Sequence, residues 1–220
     1  MDAATLQARI YAGYGKAATR IGYQFSIYRP TSISNPMALG NVVGSPINAA
    51  FTVNSSSFNF GKAGAYKDNL WNGLFDATAV HVGDYLYNST HGTYFVIALQ
   101  DTLPPLCVKC NNTLSVVRAA GPSALGIGGY SGAAPGTETA VVTTWPANLI
   151  FDARGRNTGA ALPMDEQNPF FIALLPAFSG ADIRPSDIMT DNNSPTRRYI
   201  VAASELSSFG WRLMVQHSVS

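Results

Sequence analysis

The sequence predicts a mainly β protein with one N-terminal α-helix, its strands grouped into two barrel- or sandwich-like modules joined by a Gly/Ala-rich loop. Three observations carry this. Short runs of β-branched and aromatic residues recur between clusters of Gly, Pro, Asn and Ser. Helical periodicity is confined to the first twenty-odd residues. And Val82–Arg118 finds an echo in Pro185–Gln216. Both stretches open on Gly/Ser-Asp and two bulky residues, Tyr85-Leu86 and Ile188-Met189, and pass through a polar turn. Each then enters a buried-type strand, Tyr94-Phe95-Val96-Ile97-Ala98 or Tyr199-Ile200-Val201-Ala202, and a second strand follows within Leu106–Arg118 or Trp211–Val219. The echo reads as a weak duplication of a hairpin-based unit.

From Ala3 to Ile21, Leu6, Ile10, Tyr14, Ala17 and Ile21 fall at helical spacing, with Arg9, Lys16 and Arg20 on the more polar side. Asp2 is placed to cap this helix and Gly22 to stop it. Gly13 and Gly15 each weaken it by up to about 1 kcal/mol relative to Ala, so it must dock on something to persist. Tyr23–Pro46 is punctuated by Pro30, Pro36 and Pro46 and reads as an extended arm of little regular structure. The helix and arm together make residues 1–46 one unit.

A first β module, 47–118, begins with the strand pair in Ala49–Phe60, broken at Ser55-Ser56-Ser57. Asn69–Val80 fits either a helical turn or an irregular link carrying Trp71, Leu74 and Phe75 into a core. Residues 119–139 are rich in Gly, Ala, Ser and Pro and mark the boundary. The second module, 140–220, takes strands from Ala140–Asp152, from Asn168–Pro176 and from the closing stretch.

Charged residues make up 12% of the 220 and the net charge is +1. A surface so poor in charge points to coverage by other subunits. Scattered Lys and Arg argue against specific nucleic-acid binding. No apolar run approaches the length of about eighteen residues needed for a membrane span, and the N-terminus lacks the apolar core of a signal peptide. Synthesis in the cytoplasm without membrane insertion is the expectation.

No residue stands out for chemistry. Cys107-Val-Lys-Cys110 has C-x-x-C spacing but sits between Pro104-Pro105 and a strand, not at a helix start, and no second pair completes a zinc site with it; His81 and His91 are the nearest further ligands. Gly126-Ile-Gly128-Gly129 lacks the Lys and helix of a phosphate loop, and the adjacent acids Asp165 and Glu166 suit solvation. Asp187, Asp191, Asn192 and Asn193 lack EF-hand spacing and suit a turn. The expectation is no enzyme, no catalytic residue, no cofactor and no metal site.

Three stretches carry a family resemblance: DAATLQARIYAGYGKAATRIGYQFSIYRP at the start, GTYFVIALQDTLPPLCVKC in the middle and RRYIVAASELSSFGWRLMVQ at the close. Together they resemble a family of small proteins encoded among the structural genes of tailed bacteriophages and prophages. Asp187 and Tyr199-Ile-Val201 are also similar to the β-barrel of head-closure and tail-joining proteins. The resemblance implies a virion component made in the host cytoplasm, foremost a tail or baseplate subunit and alternatively a head-to-tail connector or collar. Its partners would be tube, hub, baseplate or connector proteins, with copies of the chain itself forming a homo-oligomer in the virion. Expected contact residues are Ile10, Tyr14 and Ile21 on the helix, Tyr28 and Arg29 in the arm, and Trp211 near the end. Rival readings are a carbohydrate-binding tail protein, suggested by Trp71, Trp145, Trp211 and the many Tyr, and an assembly chaperone.

Overall fold

A computed structural model describes residues 2–53, 70–119, 138–151, 170–193 and 195–217. It is mainly β, with one helix and two closed six-stranded barrels. Helix α1 spans Ala3–Ile21, capped by Asp2, whose carboxylate accepts from Thr5 N at 2.8 Å. The first barrel contains β1 (Tyr23–Tyr28), β2 (Val42–Val53), β3 (Leu70–Leu74), β4 (Tyr85–Asn88), β5 (Gly92–Ala98) and β6 (Leu106–Lys109). The second contains β7 (Asn112–Arg118), β8 (Thr139–Phe151), β9 (Phe170–Leu175), β10 (Ile188–Asp191), β11 (Arg198–Ser207) and β12 (Gly210–His217).

The two barrels have one topology. Around the first the order is β1-β2-β3-β6-β5-β4, and around the second it is β7-β8-β9-β12-β11-β10, all neighbours antiparallel. The duplication therefore covers twelve strands, far more than the two hairpins echoed in the sequence. Ladder register aligns the copies residue by residue. Tyr28 pairs with Tyr85 as Val117 pairs with Ile188, and Leu86 with Tyr94 as Met189 with Tyr199. Bulges recur as well: β5 shifts register between Val96 and Ala98, and β11 between Val201 and Ala203.

Two readings of the sequence change. Tyr23–Pro46 is no extended arm, because its first six residues form β1 and its last five open β2. Pro30 and Pro36 fall in the link between these strands, whereas Pro46 sits inside the β1–β2 bulge beside Gly44, at φ 61°. A bulge is where a strand tolerates a residue without an N–H. The barrel boundary also moves. Leu106–Arg118 is two strands, and the chain crosses between barrels at Cys110-Asn111. Residues 119–138 instead link β7 to β8 within the second barrel, as the Pro-rich stretch links β1 to β2 within the first; most of that link, 120–137, lies outside the described residues. Of Asn69–Val80, Asn69 lies outside the described residues and the rest resolves as β3 followed by a single 3-10 turn at Ala77–Ala79.

Inward residues of the first barrel, among them Phe25, Ile27, Ala49, Leu86, Tyr94, Val96 and Cys107, form one core with Phe75 and with Tyr11 of α1. The second barrel's core does not stop at its own wall. It continues into Tyr85, Phe95, Ile97 and Val108, the outward side chains of β4, β5 and β6. This explains why Tyr94-Phe95-Val96-Ile97 is buried without alternation: alternate residues face the two barrels in turn.

Candidate interaction surface

The repeated Asp anchors each barrel in the same way. Asp84, 1% exposed, receives Arg29 Nε at 2.8 Å and Nη2 at 2.7 Å, and His81 N at 2.8 Å. Asp187 receives Arg118 Nε at 2.8 Å and Nη2 at 2.9 Å, and Arg184 N at 2.8 Å. Each Asp also joins the ladder: Val96 N donates to Asp84 O and Val201 N to Asp187 O, both at 2.9 Å. Each Arg follows the first strand of its barrel or ends it, so the bidentate pair ties that strand to the turn before the fourth. In each guanidinium the hydrogen bond to its Asp raises the Arg pKa above its already high ordinary value. The residue before each Asp holds a left-handed backbone, Gly83 at φ 92° and Ser186 at φ 74°.

The barrels meet through a polar seam and an apolar face. Asn111 extends the β7–β8 ladder with its side chain, donating to Leu149 O at 2.9 Å and accepting from Leu149 N at 2.8 Å. Asn148 Nδ2 donates to Lys109 O, and the buried Tyr85 hydroxyl to Pro146 O, each at 2.8 Å. Burial raises the Tyr85 pKa well above the usual phenol range. From the β1–β2 link, the Ile33 carbonyl receives Thr143 N and Trp145 Nε1. Beside this seam lies a cavity of about 510 Å³, lined by Phe95, Ile97, Leu106 and Val108 from one side and by Leu174, Leu175, Phe209 and Trp211 from the other.

Register identifies the counterpart of that apolar face on the second barrel. Leu70, Tyr85, Phe95 and Leu106 correspond to Phe170, Ile188, Ile200 and Met214. The first-barrel member is the more buried of the pair at Tyr85, Phe95 and Leu106, whereas Leu70 is itself 43% exposed and Phe170 is half-buried. Phe95 is 1% exposed against the second barrel, whereas Ile200 is 47% and Met214 40% exposed. The outer β10–β12 face thus carries the exposed Ile200 and Met214 and the half-buried Ile188 at positions with which the first barrel makes its junction, while Gln216 stands in place of the buried Val108. Paired charges flank it, Arg198 with Glu138 and Arg212 with Glu205.

The contact residues expected from sequence fall into three settings. Ile10 and Tyr14 pack on the first barrel's core, the Tyr14 hydroxyl 3.5 Å from Thr102 O, while Ile21 is 64% exposed. Tyr28 packs partly buried against the shared core, and Arg29 is engaged by Asp84. Trp211, 8% exposed, lines the junction cavity, and its Nε1 has no hydrogen-bond partner. Sequence reasoning missed Phe170, Ile188, Ile200 and Met214. The signal that finds them is the Arg29/Arg118 and Asp84/Asp187 match, which fixes the alignment of the copies.

The other motifs are structural where described. Cys107 points into the first barrel and Cys110 is half-buried; both thiols are free, with pKa values pushed up by desolvation. His91 stacks on Tyr23 at 3.7 Å. Asp191 accepts from Arg197 N at 2.7 Å and closes the turn before β11. No group of three or more potential metal ligands occurs among the described residues. Gly126, Gly128, Gly129, Asp165 and Glu166 lie outside them. No helix among the described residues is long and apolar enough to cross a membrane.

Fold and surface together define a class, a tandem of duplicated six-stranded barrels in which the core of the second continues into the outer wall of the first. No protein-family model, curated protein or solved structure matches the chain.

Proposed function

We propose that this chain is a non-catalytic contact subunit of a multi-protein particle, a tail or baseplate component of a tailed-phage virion that grips its neighbours through its barrels. The observation that carries the contact role is the open β10–β12 face, whose counterpart on the first barrel is the face used for barrel-to-barrel packing. A solvent-facing apolar patch framed by paired charges is the ordinary form of an interaction surface. The phage setting is supported by the three stretches that resemble virion proteins, at residues 2–30, 92–110 and 197–216.

The test is mass spectrometry of purified particles, followed by cryo-electron microscopy with the chain traced into density. Density at the distal end of the tail supports the baseplate role, and density at the neck makes the chain a connector. Absence from the particle overturns the virion reading and favours an assembly chaperone.

A further inference from the structure

Each barrel is covered on the same side by whatever precedes it in the chain. On the first barrel, α1 lies over β2, β3 and the 3-10 turn that follows β3. It also reaches the β5–β6 link, with the Tyr11 hydroxyl donating to Gln100 O at 2.9 Å. A Cβ on Gly15 would stand 3.0 Å from Asp76 Cβ, and one on Gly22 would strike Ala49 O at 2.6 Å, so the helix is closely seated there. On the second barrel the corresponding elements are β8, the end of β9, the turn at Ala177 and Phe178, and the β11–β12 turn. Those are the elements that the first barrel packs against: Tyr85 on Pro146, Gly83 on Ala177, and the cavity wall of Leu174, Leu175 and Phe209. Helix α1 therefore occupies on the first barrel the place that the first barrel occupies on the second.

We infer that α1 is a displaceable cap, and that the surface beneath it receives the open β10–β12 face of a second copy. Copies then join head to tail by repeating the junction already built inside one chain. The receiving positions match in chemistry: Leu74, Phe75 and Ala77 stand where Leu174, Leu175 and Ala177 stand on the second barrel. The incoming face matches at two positions, with Ile200 and Met214 in place of Phe95 and Leu106, and differs at Gln216, which stands where Val108 is buried. The cap is thinly held, since Tyr11 and Ala18 are its only buried residues and Leu6 and Ile21 face solvent. Gly13 and Gly15 lower its intrinsic helicity further. Such an interface is heterologous, so it closes into a ring if the rotation between copies permits and otherwise extends as a filament. The inference rests on the reading of β10–β12 as a contact face and adds the identity of the partner.

The experiment is sedimentation velocity on the full chain and on Tyr11→Asp/Ala18→Asp, which removes both buried anchors of α1. The double variant should form dimers and larger species at concentrations where the parent is mostly monomeric. Adding Ile200→Glu should weaken that association by at least about tenfold, and a synthetic peptide spanning Asp2–Gly22 should reverse it. Association that survives Ile200→Glu, or a variant that stays monomeric up to about 1 mM, overturns the inference. Should the double variant not fold, Gly15→Cys/Asp76→Cys places a reversible clasp on the helix of an otherwise intact chain. Reduced, it should associate as concentration rises, and oxidised it should not; identical behaviour of the two forms overturns the inference. If these tests fail while Ile200→Glu still blocks incorporation into particles, the contact reading stands and the partner is another protein. If Ile200→Glu alters neither, the contact reading falls with the inference.

Discussion

Removing Arg29 should be among the most damaging single substitutions in the first barrel, even though its side chain is 31% exposed. Arg29→Ala takes away two of the three side-chain hydrogen bonds to Asp84 and leaves a carboxylate that is 1% exposed with only His81 N as donor. Breaking a buried pair in this way costs about 3–5 kcal/mol, and the 31% exposure of the removed Arg29 side chain puts the expected value at the low end, because water gains a path to the remaining charge. The reverse substitution, Asp84→Ala, leaves a guanidinium that swings into solvent. Its cost is the lost charged hydrogen bonds and an unpaired His81 N–H, about 2–3 kcal/mol. Arg29→Ala should therefore be the worse of the two. Arg118→Ala should repeat the pattern against Asp187, whose geometry is the same. Urea titrations of these three variants and of Asp187→Ala supply the numbers, with a double-mutant cycle for each pair. A coupling energy below about 0.5 kcal/mol, the level of an exposed pair, would show that these contacts do not anchor the barrels.

Two further predictions concern backbone and pH. Ser186→Gly should raise stability by up to about 1 kcal/mol by relieving a left-handed Ser. Gly83→Ala at the matching position should lower it, because its φ of 92° disfavours a side chain and the new Cβ would meet Ala177 O at 2.9 Å; thermal melts of both variants decide this. Cys107 and Cys110 have pKa values raised by burial above the ordinary thiol value of 9.0, and Tyr85 well above the phenol value of 10.0. Groups that stay neutral in the folded chain while the unfolded chain ionises favour folding below their ordinary values and lose that contribution as pH rises past them. Melting temperature should fall between about pH 8 and 11, and Cys107 should react with Ellman's reagent only on unfolding. Rapid native labelling at Cys107 would contradict its burial.

How much of this was legible in the sequence depended on which side chains carried the signal. The helix was readable from its period, and the echo was readable where both copies keep Asp and Tyr-x-Val: Asp84 with Tyr94 and Val96, Asp187 with Tyr199 and Val201. The first halves of the barrels were not. Tyr23–Tyr28 lies just ahead of a Pro-rich link and Asn112–Arg118 directly after another strand, with only Cys110-Asn111 between β6 and β7. No Gly or Pro marks that crossing, because Asn111 continues the ladder with its side chain instead of turning the chain. The Arg at the end of each first strand became a matched pair only when ladder register placed both beside their Asp residues. The candidate face left a fainter trace. Tyr94-Phe95-Val96-Ile97 is bulky on both sides of the strand, as two-sided burial demands, whereas Tyr199-Ile200-Val201-Ala202 ends small. That difference marks which copy is covered, but only after the copies are aligned.

The asymmetry between identical folds follows from chain order. A repeat that cannot bury one of its faces alone relies on a neighbour, and a tandem of two has one interior junction and two ends. Here the N-terminal end is closed by α1, a helix too weak to persist undocked and seated where another barrel would fit. The C-terminal end has no counterpart to that helix among the described residues, and Ile200 and Met214 remain exposed. If α1 yields its place as inferred above, a capped end and an exposed β10–β12 face give the molecule a polarity, the property that lets identical subunits add in one direction.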